Sequence, residues 1–129
     1  MKAVLQLLFL LLYFNPTFSN VTVISYGSSW KYLDDGSSQG TAWTGTGFND
    51  ASWSSGIGQL GYGDGDESAT LNAGCTPVAS CTSKFITSYF RKNITIGSTA
   101  TYVNYTLNVK RDDGVIVYVN GVEVYRNNI

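Results

Sequence analysis

Residues 111–124 read RDDGVIVYVNGVEV: two aspartates and a glycine, then two valine-rich runs on either side of Asn120-Gly121. Asn-Gly between apolar runs is the strongest short-range signal of a β-hairpin, because both residues tolerate the positive φ of a type I′ turn. Pairing Val119 with Val122 aligns Val117 with Val124 on one face and sets Tyr118 opposite Glu123 and Ile116 opposite Tyr125 on the other. The valine face is expected to be core. The tyrosine face is expected to be surface, so Tyr118 and Tyr125 are candidate ligand contacts.

Upstream of this hairpin the period stays near two. In Tyr102–Lys110, Val103, Tyr105, Leu107 and Val109 alternate with Asn104, Thr106, Asn108 and Lys110, the pattern of a half-buried strand. In Ile86–Ile96, the residues Ile86, Phe90, Ile94 and Ile96 share a face, and Lys92 breaks the pattern as a bulge or strand end would. Gly97-Ser98-Thr99 supplies a turn between the two. The half from Tyr26 to Thr82 is rich in Gly, Ser, Thr and Trp. Within it Phe48–Trp53 is expected to make one helical turn, capped by Asn49 or Asp50, that folds both aromatics onto the core. No internal repeat is visible. Short strands, long turns and no amphipathic helix together predict an all-β chain, an antiparallel β-sandwich.

The chain of 129 residues begins with a basic Lys2, a nearly unbroken apolar stretch over Ala3–Phe14 and small residues near Thr17-Phe18-Ser19. That is the pattern of a signal peptide over residues 1–19, leaving residues 20–129 as one module that is secreted into an extracellular setting. The apolar stretch is short of the roughly 20 residues a bilayer requires, so no membrane association is expected after cleavage. Without Lys2, seven Lys and Arg stand against nine Asp and Glu, a balance that gives no electrostatic reason to expect nucleic acid. Export makes a disulfide the expected state of Cys75 and Cys81, the only two cysteines. Histidine is absent, which removes the commonest general base, the usual zinc ligand and every Ser-His or Cys-His device. No catalytic residue is assigned, and the segment is read as non-enzymatic.

Two acidic loops are candidate cation sites. Asp112-Asp113-Gly114 falls where a turn is needed anyway, since Asp accepts hydrogen bonds from nearby amides and Gly tolerates unusual backbone angles. Adjacent carboxylates are also hard oxygen ligands of the kind calcium gathers about six to eight at a time. The doublet recurs in KYLDDG, residues 31–36, so both copies call for one explanation. In GYGDGDES, residues 61–68, Asp64, Asp66 and Glu67 offer further carboxylates among glycines, without the later ligands of an EF-hand. Calcium and plain turns both remain open, and calcium gains if the two loops meet in space. Aromatics crowd the same half of the chain. Trp30 and Trp53 are assigned to the core and Trp43, flanked by Thr and Ala, to the surface as a sugar-stacking candidate. Asn-x-Thr sequons begin at Asn20, Asn93 and Asn104.

The ordered set SSWKYLDDGSSQGTAW, FNDASW, GQLGYGDGDE, ITSYFRK and RDDGVIVYVNGVEVYRNN resembles a galactose-binding-like jelly-roll module, over nearly all of residues 24 to 129. Modules of this kind occur in large secreted proteins, some of which also carry metallophosphoesterase domains of the purple-acid-phosphatase type. The DDG-strand-NG-strand unit is also similar to sugar-binding domains of β-galactosidase-like enzymes and, more loosely, to protective-antigen-type domains of yeast adhesins. The resemblance implies a noncatalytic β-sandwich that binds a glycan or packs beside a catalytic domain in the same full-length protein. The adhesin pattern alone would make Asp112 and Asp113 calcium ligands. Such modules continue past the Asn-Gly hairpin with a further strand, so residues 20–129 are read as an incomplete module. Two other readings stand beside the binding module: the amino-terminal fragment of a secreted metallophosphoesterase-like hydrolase, and a purely structural spacer.

Overall fold

The computed structural model describes residues 20–98 and 102–129; the expected signal segment, and Thr99 of the expected turn, lie outside them. In chain order the strands are β1 (Ser29–Leu33), β2 (Ser54–Ile57), β3 (Leu60–Gly61), β4 (Ala69–Thr70), β5 (Tyr89–Arg91), β6 (Val115–Val119) and β7 (Val122–Asn127). Two single 3-10 turns, Ala42–Thr44 and Val78–Ser80, are the helical elements among the described residues. The chain is therefore β-rich, as expected. Its strands form three small sheets: antiparallel β2-β1-β5, a parallel two-residue pair β3-β4, and the antiparallel hairpin β6-β7.

The hairpin forms where Asn120 and Gly121 require it, with φ of 50° and 82° at the two turn residues. Val119 opposes Val122 and Tyr118 opposes Glu123, as the turn dictates. Beyond that point the ladder departs from the expected register. A bulge shifts β7 by one residue, so Val117 opposes Tyr125 and Ile116 opposes Arg126. Paired residues project from the same side of a sheet, which places Tyr125 with Val117 and on the opposite side from Tyr118. The expected common face of Tyr118 and Tyr125 does not form. Nor is the valine face core, for Val119, Val122 and Val124 are all more than half exposed. Neither β6 nor β7 is hydrogen-bonded to another described strand.

Two expected strands are corrected. Tyr102–Lys110 contains no strand, and Val103, Tyr105, Leu107 and Val109 are between 41% and 71% exposed. Alternation makes a segment fit for a sheet, but a strand exists only where a partner meets its N–H and C=O groups. Of Ile86–Ile96 only Tyr89–Arg91 is strand, and its inward side is opposite to the one expected: Tyr89 and Arg91 are half-buried, whereas Phe90 is exposed and Ile86 fully so. Lys92 does follow directly on the strand end.

The buried hydrophobic residues among those described are Trp53, Leu71 and Ala73. Trp53 is delivered by a tight turn, in which its N–H donates to the Asp50 carbonyl at 3.0 Å and Asn49 Oδ1 accepts from Ala51 N–H at 3.0 Å. The expected helical turn is thus a single reverse turn. Its consequence holds, since the Phe48 and Trp53 rings meet edge to face at 5.5 Å. Trp30, expected in the core, is only half-buried. The strands close tightly at Gly56, where a Cβ would fall 2.8 Å from Leu60 Cδ2 and 2.9 Å from Ala69 Cβ. Phe85 wedges between Gly36 and Gly74: a Cβ on either glycine would meet its ring at under 3 Å, and both glycines have positive φ.

Cys75 and Cys81 form the expected disulfide, with Cα atoms 5.9 Å apart, next to this wedge. Replacing both by serine is expected to lower the unfolding free energy by about 2 kcal/mol through the released loop entropy. Urea titration followed by far-UV circular dichroism measures this. An unchanged midpoint would mean that Phe85, not the disulfide, holds the loop.

Candidate functional site

Both aspartate doublets turn the chain. Asp34 Oδ2 accepts the Asn72 N–H at 2.6 Å and anchors the first loop to the buried Leu71–Ala73 segment. Asp35 Oδ1 accepts from the Ser37 hydroxyl and, at 2.9 Å, from its N–H. Those two bonds, the hydroxyl foremost, hold the Asp35 carboxyl below the usual carboxylate range. In the second doublet Asp112 Oδ1 accepts the Asp113 N–H at 3.0 Å, and Asp113 takes a φ of 31°. The Asp113 carbonyl receives Arg111 and, at 3.2 Å, Asn128 Nδ2, so the turn is tied to the far end of β7.

The glycine-rich acidic loop is organised by Glu67, whose two oxygens accept the N–H groups of Asp64 and Gly65 at 2.9 Å each. The Asp64 N–H is the chief reason that the Glu67 carboxyl lies below its ordinary range. Asp66 accepts from Gln59 at 2.8 Å and from Lys110 Nζ at 3.2 Å. Lys110 stands directly before Arg111-Asp112-Asp113 and also bonds Gln59, so the two acidic regions are joined through an ammonium. Among the described residues no three Asp, Glu or Cys side chains are grouped so as to hold a metal ion.

The structure brings together a different set, centred on Trp43. This residue, expected on the surface, is half-buried within the 3-10 turn Ala42–Thr44. The edge-to-face neighbours of its ring are Tyr89 at 5.1 Å and Tyr118 at 5.6 Å. Trp43 thereby links the β2-β1-β5 sheet to the hairpin. Its backbone is held by Arg91, whose Nη1 donates to the carbonyls of Trp43 and Gly45. The same guanidinium pairs with Asp50 at 3.0 Å and stacks over Phe48 at 5.1 Å.

On the Tyr118 face of the hairpin, Arg126 grips Glu123 with two parallel bonds of 2.8 Å, the strong fork-to-carboxylate geometry. This pairing, and after it the Tyr118 hydroxyl, depresses the Glu123 pKa, while Glu123 raises that of Arg126. Trp43, Tyr118, Glu123 and Arg126 thus form a mixed aromatic and polar surface. Tyr125, 44% exposed, lies on the other side of the hairpin.

Sequence reasoning named Trp43 and Tyr118 but missed Glu123, Arg126 and Arg91. Three positions apart on a strand, Glu123 and Arg126 would point to opposite faces; the bulge puts them on one. Arg91 was passed over because nothing local marks an arginine that reaches back some forty residues to Asp50 and Trp43. The sequon residues Asn20, Asn93 and Asn104 are all exposed. No family model, no curated protein and no solved structure matches the chain.

Proposed function

We propose that the chain is a secreted, noncatalytic module of galactose-binding-like jelly-roll type that binds carbohydrate through Trp43, Tyr118, Glu123 and Arg126. The observation that carries this reading is the pair of edge-packed rings beside a bidentate Glu123–Arg126 pair. Aromatic faces match the apolar faces of sugar rings, and fixed planar donors and acceptors match their hydroxyls. Because Arg126 and Glu123 already fix one another, little side-chain entropy is lost when they receive a ligand.

A glycan array probed with the full chain tests the reading. Binding to a saccharide is expected, weakened at least tenfold in Tyr118→Ala and in Arg126→Met and unchanged in Tyr125→Ala. Retention of binding in both of the first two variants would move the site elsewhere. Calcium is the proposed stabilising ion of the Asp112-Asp113 turn and of the Asp64, Asp66 and Glu67 loop. At 100-fold excess over Kd it should add about 2.7 kcal/mol to stability. A chelator-sensitive rise in Tm that is lost in Asp112→Ala and Asp113→Ala supports this, and no rise removes calcium from the account.

One observation favours a second role beside the first. Val119, Val122 and Val124 on the hairpin, with Val103, Tyr105, Leu107 and Val109 before it, are all at least 41% exposed, and large exposed apolar surfaces mark interaction sites. That surface suits a module packed against a catalytic domain of the same full-length protein, here a metallophosphoesterase-like hydrolase. The transcript beyond codon 129 reads this out directly.

A further inference from the structure

β1 and β5 pair antiparallel only as far as Lys31 and Arg91. β5 ends at that pair, and residues of β1, β2 and β5 line an open cleft of about 300 Å³ there. Trp30, Lys31, Asp50, Arg91, Lys92 and Asn93 are among the residues that line it. The lining thus includes three cationic residues and one carboxylate, in a chain whose formal net charge is -1. The single carboxylate, Asp50, is already engaged by Arg91 Nε.

The cations are held in place and are not saturated. Lys31 Nζ gives one hydrogen bond, to the Trp53 carbonyl at 3.0 Å. Lys92 Nζ gives one, to the Ser29 carbonyl at 2.8 Å, and lies 5.8 Å over the Trp30 ring. Each ammonium has three protons to donate, so two on each, together with Arg91 Nη2, have no acceptor among the described residues. Lys31, Arg91 and Lys92 are all partly withdrawn from water. Surplus positive charge in a partly desolvated cleft focuses the field there and attracts an anion.

We propose that this cleft is an oxyanion subsite that takes a sulfate or carboxylate group carried on an acidic saccharide. This inference rests on the carbohydrate reading given above and names the class of glycan it would favour. The oxyanion accepts from the open protons of Lys31 and Lys92 and from Arg91 Nη2, while the amide of Asn93 at the rim can bond a neighbouring hydroxyl. A glycan attached at Asn93 would stand at the mouth of the same cleft, so occupancy of that sequon and ligand binding exclude one another.

The test uses the full chain carrying Thr95→Ala, which removes the sequon and keeps the Asn93 amide. Three probes are titrated by calorimetry: a sulfated oligosaccharide, its desulfated counterpart and sodium sulfate. The sulfated form should bind at least tenfold more tightly than the desulfated one. Lys92→Met should erase about tenfold of that difference, one charge-assisted contact, while Lys92→Arg keeps it. A far-UV spectrum and Tm matching those of the parent show that Lys92→Met is folded. Affinity for the sulfated form should also fall steeply with added salt. Equal binding of both oligosaccharides, indifferent to Lys92→Met, overturns the subsite and leaves the carbohydrate reading intact. Binding of neither oligosaccharide overturns the carbohydrate reading and this assignment with it, and a response to sodium sulfate alone would mark an inorganic anion site.

Discussion

Trp53→Ala is expected to bring the chain to within about 2 kcal/mol of unfolding at room temperature. Trp53 is 5% exposed, it is the one large aromatic buried among the described residues, and its ring contacts Phe48 and Tyr89. Truncating a buried Trp costs about 3–5 kcal/mol, the transfer of the ring plus the cavity it leaves. A domain of this size has about 5–15 kcal/mol in all, and with Leu71 and Ala73 as the other buried residues among those described this one belongs at the low end. Far-UV circular dichroism against urea reads the loss without relying on the deleted fluorophore. A decrease below about 1 kcal/mol would show that the chain draws its stability from another part of the molecule.

Arg91→Met is expected to cost about 3 kcal/mol and, with it, saccharide binding. The Arg91 side chain is 10% exposed and its partner Asp50 21%, so the pair is only weakly screened by water. Loss of the guanidinium strands the Asp50 carboxylate and two carbonyls of the Trp43 turn without their donor. The turn then no longer fixes the ring that Tyr118 packs against. Asp50→Leu in the same background should recover much of the stability, since the uncompensated charge is gone, but not the binding, since the Trp43 turn still lacks its anchor. Recovery of both would reduce Arg91 to an ion-pair partner. Urea midpoints and binding titrations on the single and double variants separate the two outcomes.

The parts of the fold that could be read in the sequence are those fixed by adjacent residues. Asn120-Gly121 determines its own turn, Asn49 caps its own loop, and the six-residue separation of Cys75 and Cys81 needs no long-range information. What could not be read depends on what lies across space. Tyr102–Lys110 alternates as well as any strand in the chain and pairs with no described strand. Tyr89, not the isoleucines near it, turns inward because Trp43 and Trp53 are there to receive it. In the candidate site, Trp43 and Tyr118 could be named from their type. The polar half, Glu123 and Arg126, depends on a ladder irregularity that no residue in VEVYRN announces. The acidic loops were legible as turns; Lys110, which joins them, was read only as one outward position of a strand.

The bulge at Val124 also bears on how this hairpin tolerates change in chain length. Glu123 already opposes Tyr118, and Tyr125 already opposes Val117. Val124 is therefore the supernumerary residue between two rungs that would be neighbours without it. A chain lacking Val124 would keep every cross-strand pair and present the same side chains on each face, including Glu123 beside Arg126. A length difference at this point would show as a one-residue gap in an alignment and leave the surface chemistry unaltered. Deletion of Val117 on the other strand would instead reverse the faces of Val115 and Ile116 relative to Tyr118. Of the two arms of the hairpin, only β7 can shorten without rewriting what the module shows to its surroundings.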